Sequence, residues 1–390
     1  MWTIGVSVDT SIERVGSIPL DPALEIHEFD EHTGYVVDAE KANQHGLKLA
    51  GDGHTILVPQ PSSDTYDPLN WGSFKKHFIL LVVSMCAFLP EAASTTGAVG
   101  VLPQAAIWRL SENEINHATS GNVFMIGAGG LFAVTLSAYF DRLPVLFWSL
   151  FFTLLSIIWC AVATSFDSYM AGRILNGFFA VGGEAGATMW INDMFFFHDK
   201  VRKVRIYVCF ILNAVFIGPL LSAFMLTTQS WRTTFWRETG EVALCFCLVL
   251  LFFDESYYDR RLRPDQQPQR KTRLHRLVGV QQFQSRHTRN TLKEAIMRPI
   301  KAATKLTVLI SFLYTFCTFA WFVGISVTRS IFLTPLYHFG LLQIGYMFFL
   351  PILGNTLGYV LGVFLHDWVA KAYIKRHQGR FEPEALLWSI

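Results

Sequence analysis

The chain has 390 residues, of which 52% are hydrophobic and 16% are charged, and its formal net charge is +2. A soluble domain carries about 25% charged residues, whereas this chain is divided into apolar blocks of about twenty residues, the length that crosses the ~30 Å hydrocarbon core of a bilayer. This composition excludes an ordinary soluble domain and gives no indication of nucleic-acid binding. It predicts an all-α polytopic membrane protein.

The first segment, residues 1–76, is polar and does not begin with a signal peptide. Its Asp, Glu, Gly, Pro and Ser residues are interrupted only by short apolar runs. We therefore expect a cytoplasmic tail here, largely disordered over residues 1–66.

Eight apolar stretches follow, and each is predicted to be a transmembrane helix because a chain in lipid must satisfy its backbone polar groups internally. The predicted spans are residues 78–101, 120–140, 144–163, 168–194, 206–226, 235–253, 306–327 and 343–365. The sixth is the weakest, since charged residues precede its short apolar part; among them, Arg237 and Glu241 are spaced to pair on one helix. The six cysteines all lie in apolar blocks, where we expect small buried hydrophobes rather than disulfides.

Lysine and arginine in the short loops predict the orientation. Eleven of these residues fall on one side of the predicted membrane and four on the other, which places both termini in the cytoplasm, with the plasma membrane as the expected location. The resulting segments are the tail, a six-helix half (77–254), a basic cytoplasmic loop (255–305), two further helices (306–370) and a cytoplasmic end (371–390). The basic loop either lies along anionic lipid headgroups or only reflects the charge bias.

Five short motifs occur in this layout of six spans, a long basic loop and further spans. They are Asp67–Trp71, Leu143–Trp148, Asn192–His198, Tyr257–Arg260 and Phe381–Glu384. From about residue 56 to its end, the chain resembles the fungal drug:proton antiporter branch of the major facilitator superfamily. Superfamily members have twelve or more spans in two six-helix halves. The resemblance thus implies a major facilitator-like helical bundle, truncated after two helices of the second half.

Two ionisable residues of the fourth span are candidates for proton coupling. Arg173 opens a stretch that resembles the family's R-x-x-x-G element, whose arginine is implicated in proton coupling. A cation inside the bilayer needs a polar cavity or a partner, or else it snorkels to the interface. Glu184 shares a helical face with Arg173 and lies roughly 16 Å deeper. There its carboxyl group either exchanges a proton near neutral pH or makes a structural hydrogen bond.

The first and fifth spans supply further candidates. Glu91 follows Pro90, which bends the helix and frees a carbonyl; Glu91 either binds a proton or cation or is a buried hydrogen-bonded group. Gly218 and Pro219 resemble the core of the antiporter motif G-P-x-x-G-G. The final pair of that motif is Ser-Ala here, which still permits close helix approach.

The turn between spans two and three resembles a degenerate form of the family's gating element, G-x-x-x-D-R-x-G-R-R. In one register Arg142 is its later arginine and Asp141 stands where a glycine is expected; in the other, Asp141 and Arg142 are the D-R pair. In span seven, Tyr314 and Trp321 either face the cavity, where aromatic rings attract an organic cation, or face lipid.

No metal-ligand spacing, nucleophile elbow, Walker loop or dinucleotide fingerprint occurs, so neither an enzyme nor a cofactor is expected. The resemblance implies a proton-coupled antiporter of a small organic molecule, a cation in particular, that rocks two helical halves about a midplane site. Its expected partners are the bilayer, protons and a small-molecule substrate, with the oligomeric state left open. The alternatives are a proton symporter for a nutrient and a truncated paralogue that associates with a full-length transporter without transporting.

Overall fold

The structure is a computed structural model that describes residues 34–35, 47–51, 55–260, 267, 270–285, 291–376 and 380–381. Predictions that concern residues 1–33 and 382–390 lie outside these residues. Within them the chain is helical apart from loops, one 3-10 turn (Pro68–Asn70) and two short strands, β1 (Gly34–Tyr35) and β2 (Arg380–Phe381). The two strands pair antiparallel.

Fourteen α-helices are formed in the described part of the chain. The first group is α1 (Ser73–Val99), α2 (Val101–Trp108), α3 (Glu112–Tyr139), α4 (Arg142–Val162), α5 (Phe166–Ala180), α6 (Gly182–Met194), α7 (Phe197–Leu226) and α8 (Trp231–Phe252). The linker contains α9 (Arg273–Val278), α10 (Val280–Gln284) and α11 (Leu292–Ala303). After it come α12 (Leu306–Tyr337), α13 (Leu341–Met347) and α14 (Phe349–Arg376).

All eight predicted spans fall within helical segments, so the all-α membrane fold is confirmed. By length and hydropathy, six helical segments of the described chain are able to cross a membrane: α1, α3, α4, α7, Leu306–Ser326 and Leu341–Ala370. The fourth predicted span is divided at Val181 into α5 and α6, of 15 and 13 residues. The sixth, α8, contains the charged residues noted above. The count of eight crossings therefore stays a prediction.

Helix α1 lies at the centre of the first group of helices. It packs against α6, α7 and α8, while α4 packs against α5 and α8 and α3 packs against α5. In its most apolar 18-residue window, 78% of the residues are buried. The corresponding windows in Leu306–Ser326 and Leu341–Ala370 are 0% and 6% buried. The first six predicted spans thus contain most of the buried core, and the later helices pack on it chiefly through α7, where Ile344 and Phe348 are buried.

Residues 55–72, at the end of the expected tail, are packed rather than loose. Ile56, Val58 and Leu69 are buried, and the Phe197 amide donates to the Val58 carbonyl at 2.7 Å. Asp67 is fully buried because the Arg260 guanidinium pairs with it at 2.9 Å. The disorder expected up to residue 66 therefore does not extend over residues 55–66, since a charge partner far along the chain holds this segment.

All six cysteines are free thiols, as expected. Cys86, Cys160 and Cys245 are buried in the core, whereas Cys247 and Cys317 are exposed on outward helix faces. The prediction that they are small buried hydrophobes is therefore wrong for these last two.

Candidate functional site

Helices α1, α6 and α7 bring two carboxyl groups together inside the bundle. Glu91 on α1 is 5% exposed, and its carboxyl group interacts electrostatically with that of Glu184 on α6. The Tyr207 hydroxyl on α7 donates to the main-chain carbonyl of Glu184 at 2.9 Å. Among the described residues, the buried Oε2 atom of Glu184 has no hydrogen-bond partner. A buried carboxyl group beside a partly buried one is an arrangement that is able to hold a proton or a cation.

The contact between α6 and α1 depends on Gly183, the residue before Glu184. A Cβ atom at Gly183 would lie 2.8 Å from the Cys86 Cβ and 2.9 Å from the Cys86 carbonyl oxygen. Pro90 follows Cys86 by four residues, so that carbonyl lacks its usual helical N–H donor. The α6 backbone therefore lies against the part of α1 that Pro90 has opened, which sets Glu184 near Glu91.

A second close contact lies beside Glu91, where α7 meets α1. A Cβ atom at Gly218 would lie 2.6 Å from the carbonyl oxygen of Ala92. Pro219 lies within α7, and the Ser222 hydroxyl donates to the Gly218 carbonyl at 2.9 Å. Gly218, predicted from the antiporter motif together with Pro219, therefore lies where α7 approaches α1 closely, at the residue that follows Glu91.

Arg173 on α5 is fully buried, so its position does not match a snorkelling side chain. Its Nη1 and Nη2 atoms donate to the α1 carbonyls of Ala93 and Ser94 at 2.6 and 2.8 Å. These carbonyls lie roughly 3 to 5 Å beyond Glu91 along the helix axis. The guanidinium also lies 5.7 Å from the centre of the Phe235 ring. Arg173 is thus a fixed positive charge at the contact of α5 with α1, and the carboxyl group of Glu238 on α8 interacts electrostatically with it.

The division of the fourth span at Val181 changes the expected positions of Arg173 and Glu184 relative to each other. They were expected on one face of a continuous helix, but α5 ends at Ala180 and α6 begins at Gly182. Arg173 reaches the α1 carbonyls, while Glu184 approaches Glu91 and Tyr207. Both residues face the central helix α1, Arg173 at Ala93 and Ser94 and the start of α6 at Cys86, roughly 10–12 Å away along the axis.

Sequence reasoning missed Glu238 on α8 as a site residue. Its side chain is 3% exposed and lies 3.3 Å from Arg237, and it also interacts electrostatically with Arg173. Arg237 is 3.6 Å from Glu241, which confirms the pairing predicted from their spacing, and it donates to the Thr96 hydroxyl at 3.1 Å. The signal was present, because an ionisable residue inside a transmembrane segment is by default a candidate for a functional site.

Five residues from distant parts of the sequence form a cluster that we call the charged end of the bundle: Asp67, Arg142, Asp193, Glu255 and Arg260. Arg142 lies 3.0 Å from the Asp193 carboxylate, and Arg260 donates to the Asp193 carbonyl at 3.2 Å. Burial tends to raise the pKa of Asp67, but the hydrogen bond and charge of Arg260 outweigh it and hold that pKa below its usual range.

The turn at Asp141 and Arg142 belongs to this end. Asp141 has φ 69° and ψ −177°, a conformation that is essentially restricted to glycine, and this favours the register that places Asp141 at the family's glycine. Glu255 accepts from the Leu143 and Arg142 amides at 3.1 and 3.3 Å, which caps α4. Burial, followed by the charge of Asp141, raises the pKa of Glu255 to about 7.

The aromatic candidates of span seven lie elsewhere. Tyr314 and Trp321 are 71% and 74% exposed on α12, and Trp321 lines a groove of about 910 Å³ that α12 forms with the start of α14. The structure places both on the outer surface of α12 rather than in the buried contact that holds Glu91. In the described part of the chain, no group of three or more His, Cys, Asp or Glu residues is arranged to hold a metal ion.

Comparison with known proteins gives one family. The family model of the Major Facilitator Superfamily matches residues 80–377. An uncharacterized MFS-type transporter of Schizosaccharomyces pombe is 25% identical over 219 residues, which cover 56% of this chain and 38% of that protein. Fluconazole resistance protein 1 of Saccharomyces cerevisiae is 23% identical over 343 residues, which cover 83% of this chain and 60% of that protein.

Among solved structures, the proton:xylose symporter XylE of E. coli superposes with a TM-score of 0.56 at 16% identity, over 77% of this chain and 71% of XylE. This likeness concerns the fold. The chain spans only 38% and 60% of the lengths of the two curated relatives named above.

Proposed function

The chain belongs to the major facilitator superfamily, and on that basis we propose that it serves secondary transport, exchanging protons for a small organic cation. The observation that carries this proposal is the Glu91–Glu184 pair in the contact of α1 with α6. The relative named Fluconazole resistance protein 1 supports a drug-like molecule as the substrate, and a relative named Efflux pump radE supports export as the direction.

Competition for one site accounts for exchange. Two ionised carboxylates side by side in a bundle interior repel each other and are poorly solvated, so one proton or one cation stabilises the pair. A proton and an organic cation compensate the same negative charge, and each therefore displaces the other. Antiport follows if the pair opens alternately to the two sides of the membrane.

Arg173 would set the strength of this competition. Because the α1 carbonyls of Ala93 and Ser94 hold its guanidinium, its charge stays fixed while the pair changes state. A fixed positive charge favours the ionised form of nearby carboxylates, among them Glu238, whose electrostatic neighbours include Arg173. We propose that the positive charge of Arg173 lowers the free energy needed to ionise a carboxyl group inside the bundle.

The charged end would act as the cytoplasmic gate. The basic residues in the short loops support a cytoplasmic position for this end, and the plasma membrane is the proposed location. Residues 77–254 would form the proton-binding half, which rocks against the helices after the linker. The Arg142–Asp193 pair joins the start of α4 to the end of α6 and would break or re-form during this motion.

The proposal is tested in proteoliposomes that contain the purified chain. With an imposed pH gradient, the wild type should drive tetraphenylphosphonium, a permanent organic cation, against the direction of proton flow. The Glu184→Gln variant should lose this pH-driven flux at least about tenfold while it stays folded. Asp167→Asn, which removes an exposed carboxylate on α5, is the matched control and should keep the flux.

Each other outcome contradicts a different part of the proposal. Flux in the same direction as the protons would favour the symporter. Unchanged flux in Glu184→Gln would remove Glu184 from the mechanism. Absence of flux in the wild type, with copurification of a second transporter, would favour the partner-dependent role.

A further inference from the structure

The linker helix α11 carries an apolar stripe on its surface. Leu292, Ile296 and Ile300 recur every four residues, so they lie along one face, and they are 48%, 43% and 51% exposed. At the edge of this stripe Ala295 is buried, and α11 packs against α3. The helix is thus anchored to the bundle while its apolar stripe points away from it.

The start of α12 determines where this stripe lies relative to the bilayer. Helix α11 ends at Ala303, and α12 begins at Leu306 with the segment apolar enough to cross a membrane. The two residues between them allow the helix ends to lie at most about 11 Å apart. Helix α11 therefore lies where the chain enters the membrane, and there an amphipathic helix buries its apolar face among acyl chains.

The polar face of α11 is basic. Lys293, Arg298 and Lys301 are exposed, and Lys305 follows directly after the helix. The helix contains one acidic residue, Glu294. Its carboxylate accepts from the Thr291 amide at 3.1 Å in a capping box, so it caps the helix start and sits on the far side from the stripe.

We propose that α11 is an interfacial helix that binds anionic phospholipid headgroups. Leu292, Ile296 and Ile300 insert among the acyl chains, and Lys293 and Lys301 lie at the headgroup phosphates. The basic charge beside the stripe is complementary to anionic lipid, and the stripe is continuous with the membrane-crossing surface of α12. This surface is separate from the proposed proton site, and it holds the linker on the membrane between the bundle and the later helices.

The first test measures lipid preference of the full chain by native mass spectrometry, with phosphatidylserine and phosphatidylcholine as competing probes. Each basic residue near an anionic surface contributes about fivefold in binding. The Lys293→Gln/Lys301→Gln variant loses two such residues and should therefore lower the preference for phosphatidylserine by about 25-fold. The matched control, Lys293→Arg/Lys301→Arg, keeps both charges and should retain the preference.

The second test measures hydrogen–deuterium exchange of residues 292–305 in nanodiscs. Adding phosphatidylserine to phosphatidylcholine should slow exchange in the wild type, and Ile296→Ser/Ile300→Ser should speed it. Binding of phosphatidylserine by the glutamine variant at the wild-type level would overturn the proposal. So would unchanged exchange in the serine variant, which would mean that something other than lipid covers the stripe. If the serine variant does not fold, the lysine variants, whose changed side chains are exposed, still decide the matter.

Discussion

Replacing Gly183 with alanine tests how the two carboxyl groups are brought together. The added Cβ atom would lie 2.8 Å from the Cys86 Cβ, where ordinary contact begins at 3.4 Å, so α6 has to move from α1 by about 0.6 Å. The Cys86 carbonyl oxygen, 2.9 Å from the same Cβ, is backbone and cannot rotate away. Forcing such a contact costs about 1–3 kcal/mol, against up to ~1 kcal/mol gained in helix propensity.

The net expectation for Gly183→Ala is a destabilisation of about 1–2 kcal/mol and weaker coupling of protons to cation flux, because Glu184 moves with α6. Thermal unfolding in detergent, followed by tryptophan fluorescence, measures the first effect, and the proteoliposome assay measures the second.

The control is Gly127→Ala in α3, where no atom lies within 4 Å of an added Cβ. This variant should be neutral or slightly stabilised, with full flux. If Gly183→Ala unfolds at the same temperature as Gly127→Ala and transports equally well, the reasoning about the α1–α6 contact is refuted.

Three predictions concern the charged end. Asp141→Gly should raise stability by about 1 kcal/mol because it removes strain at φ 69°; a lower unfolding temperature would contradict this. Burial raises the pKa of Glu255 from its ordinary 4.5 to about 7, so the folded protein binds this proton more tightly than the unfolded chain does. Protonation of Glu255 therefore contributes roughly 3 kcal/mol to the free energy of unfolding below pH 4.5, and this contribution is lost as the pH rises through 7. Glu255→Gln should flatten the unfolding profile over this range, and an unchanged profile would assign the dependence elsewhere. Asp67→Asn should weaken the Arg260 pair and speed amide exchange over residues 55–72, whereas unaltered exchange would show that this pair does not hold the segment.

The long apolar helices could be predicted from the sequence because the length of an apolar block matches the bilayer core, whereas the linker helices α9, α10 and α11 carry no such block and were not predicted. Local spacing also sufficed for the pairing of Arg237 with Glu241, since residues four apart on a helix are neighbours wherever the helix packs. The division of the fourth span at Val181 was missed, although two glycines follow it directly and glycine weakens a helix.

The candidate site could be predicted only in part. Glu91 and Glu184 were each identified from a charge in an apolar segment, but their proximity depends on the contact of Gly183 with Cys86, which spans nearly a hundred residues. The Asp67–Arg260 pair is separated by a still longer stretch of chain. Such tertiary contacts have no local signal, and this is also why Tyr314 and Trp321 could not be assigned to a cavity or to a surface.

Proton release on cation binding tests the central claim most directly. Isothermal titration calorimetry of the purified chain with tetraphenylphosphonium, in buffers of different ionisation enthalpy, gives the number of protons released per cation bound. The account predicts close to one proton for the wild type and almost none for Glu91→Gln/Glu184→Gln. Binding without proton release in the wild type, or equal release in the double variant, would contradict the claim that a proton and a cation compete for this carboxyl pair.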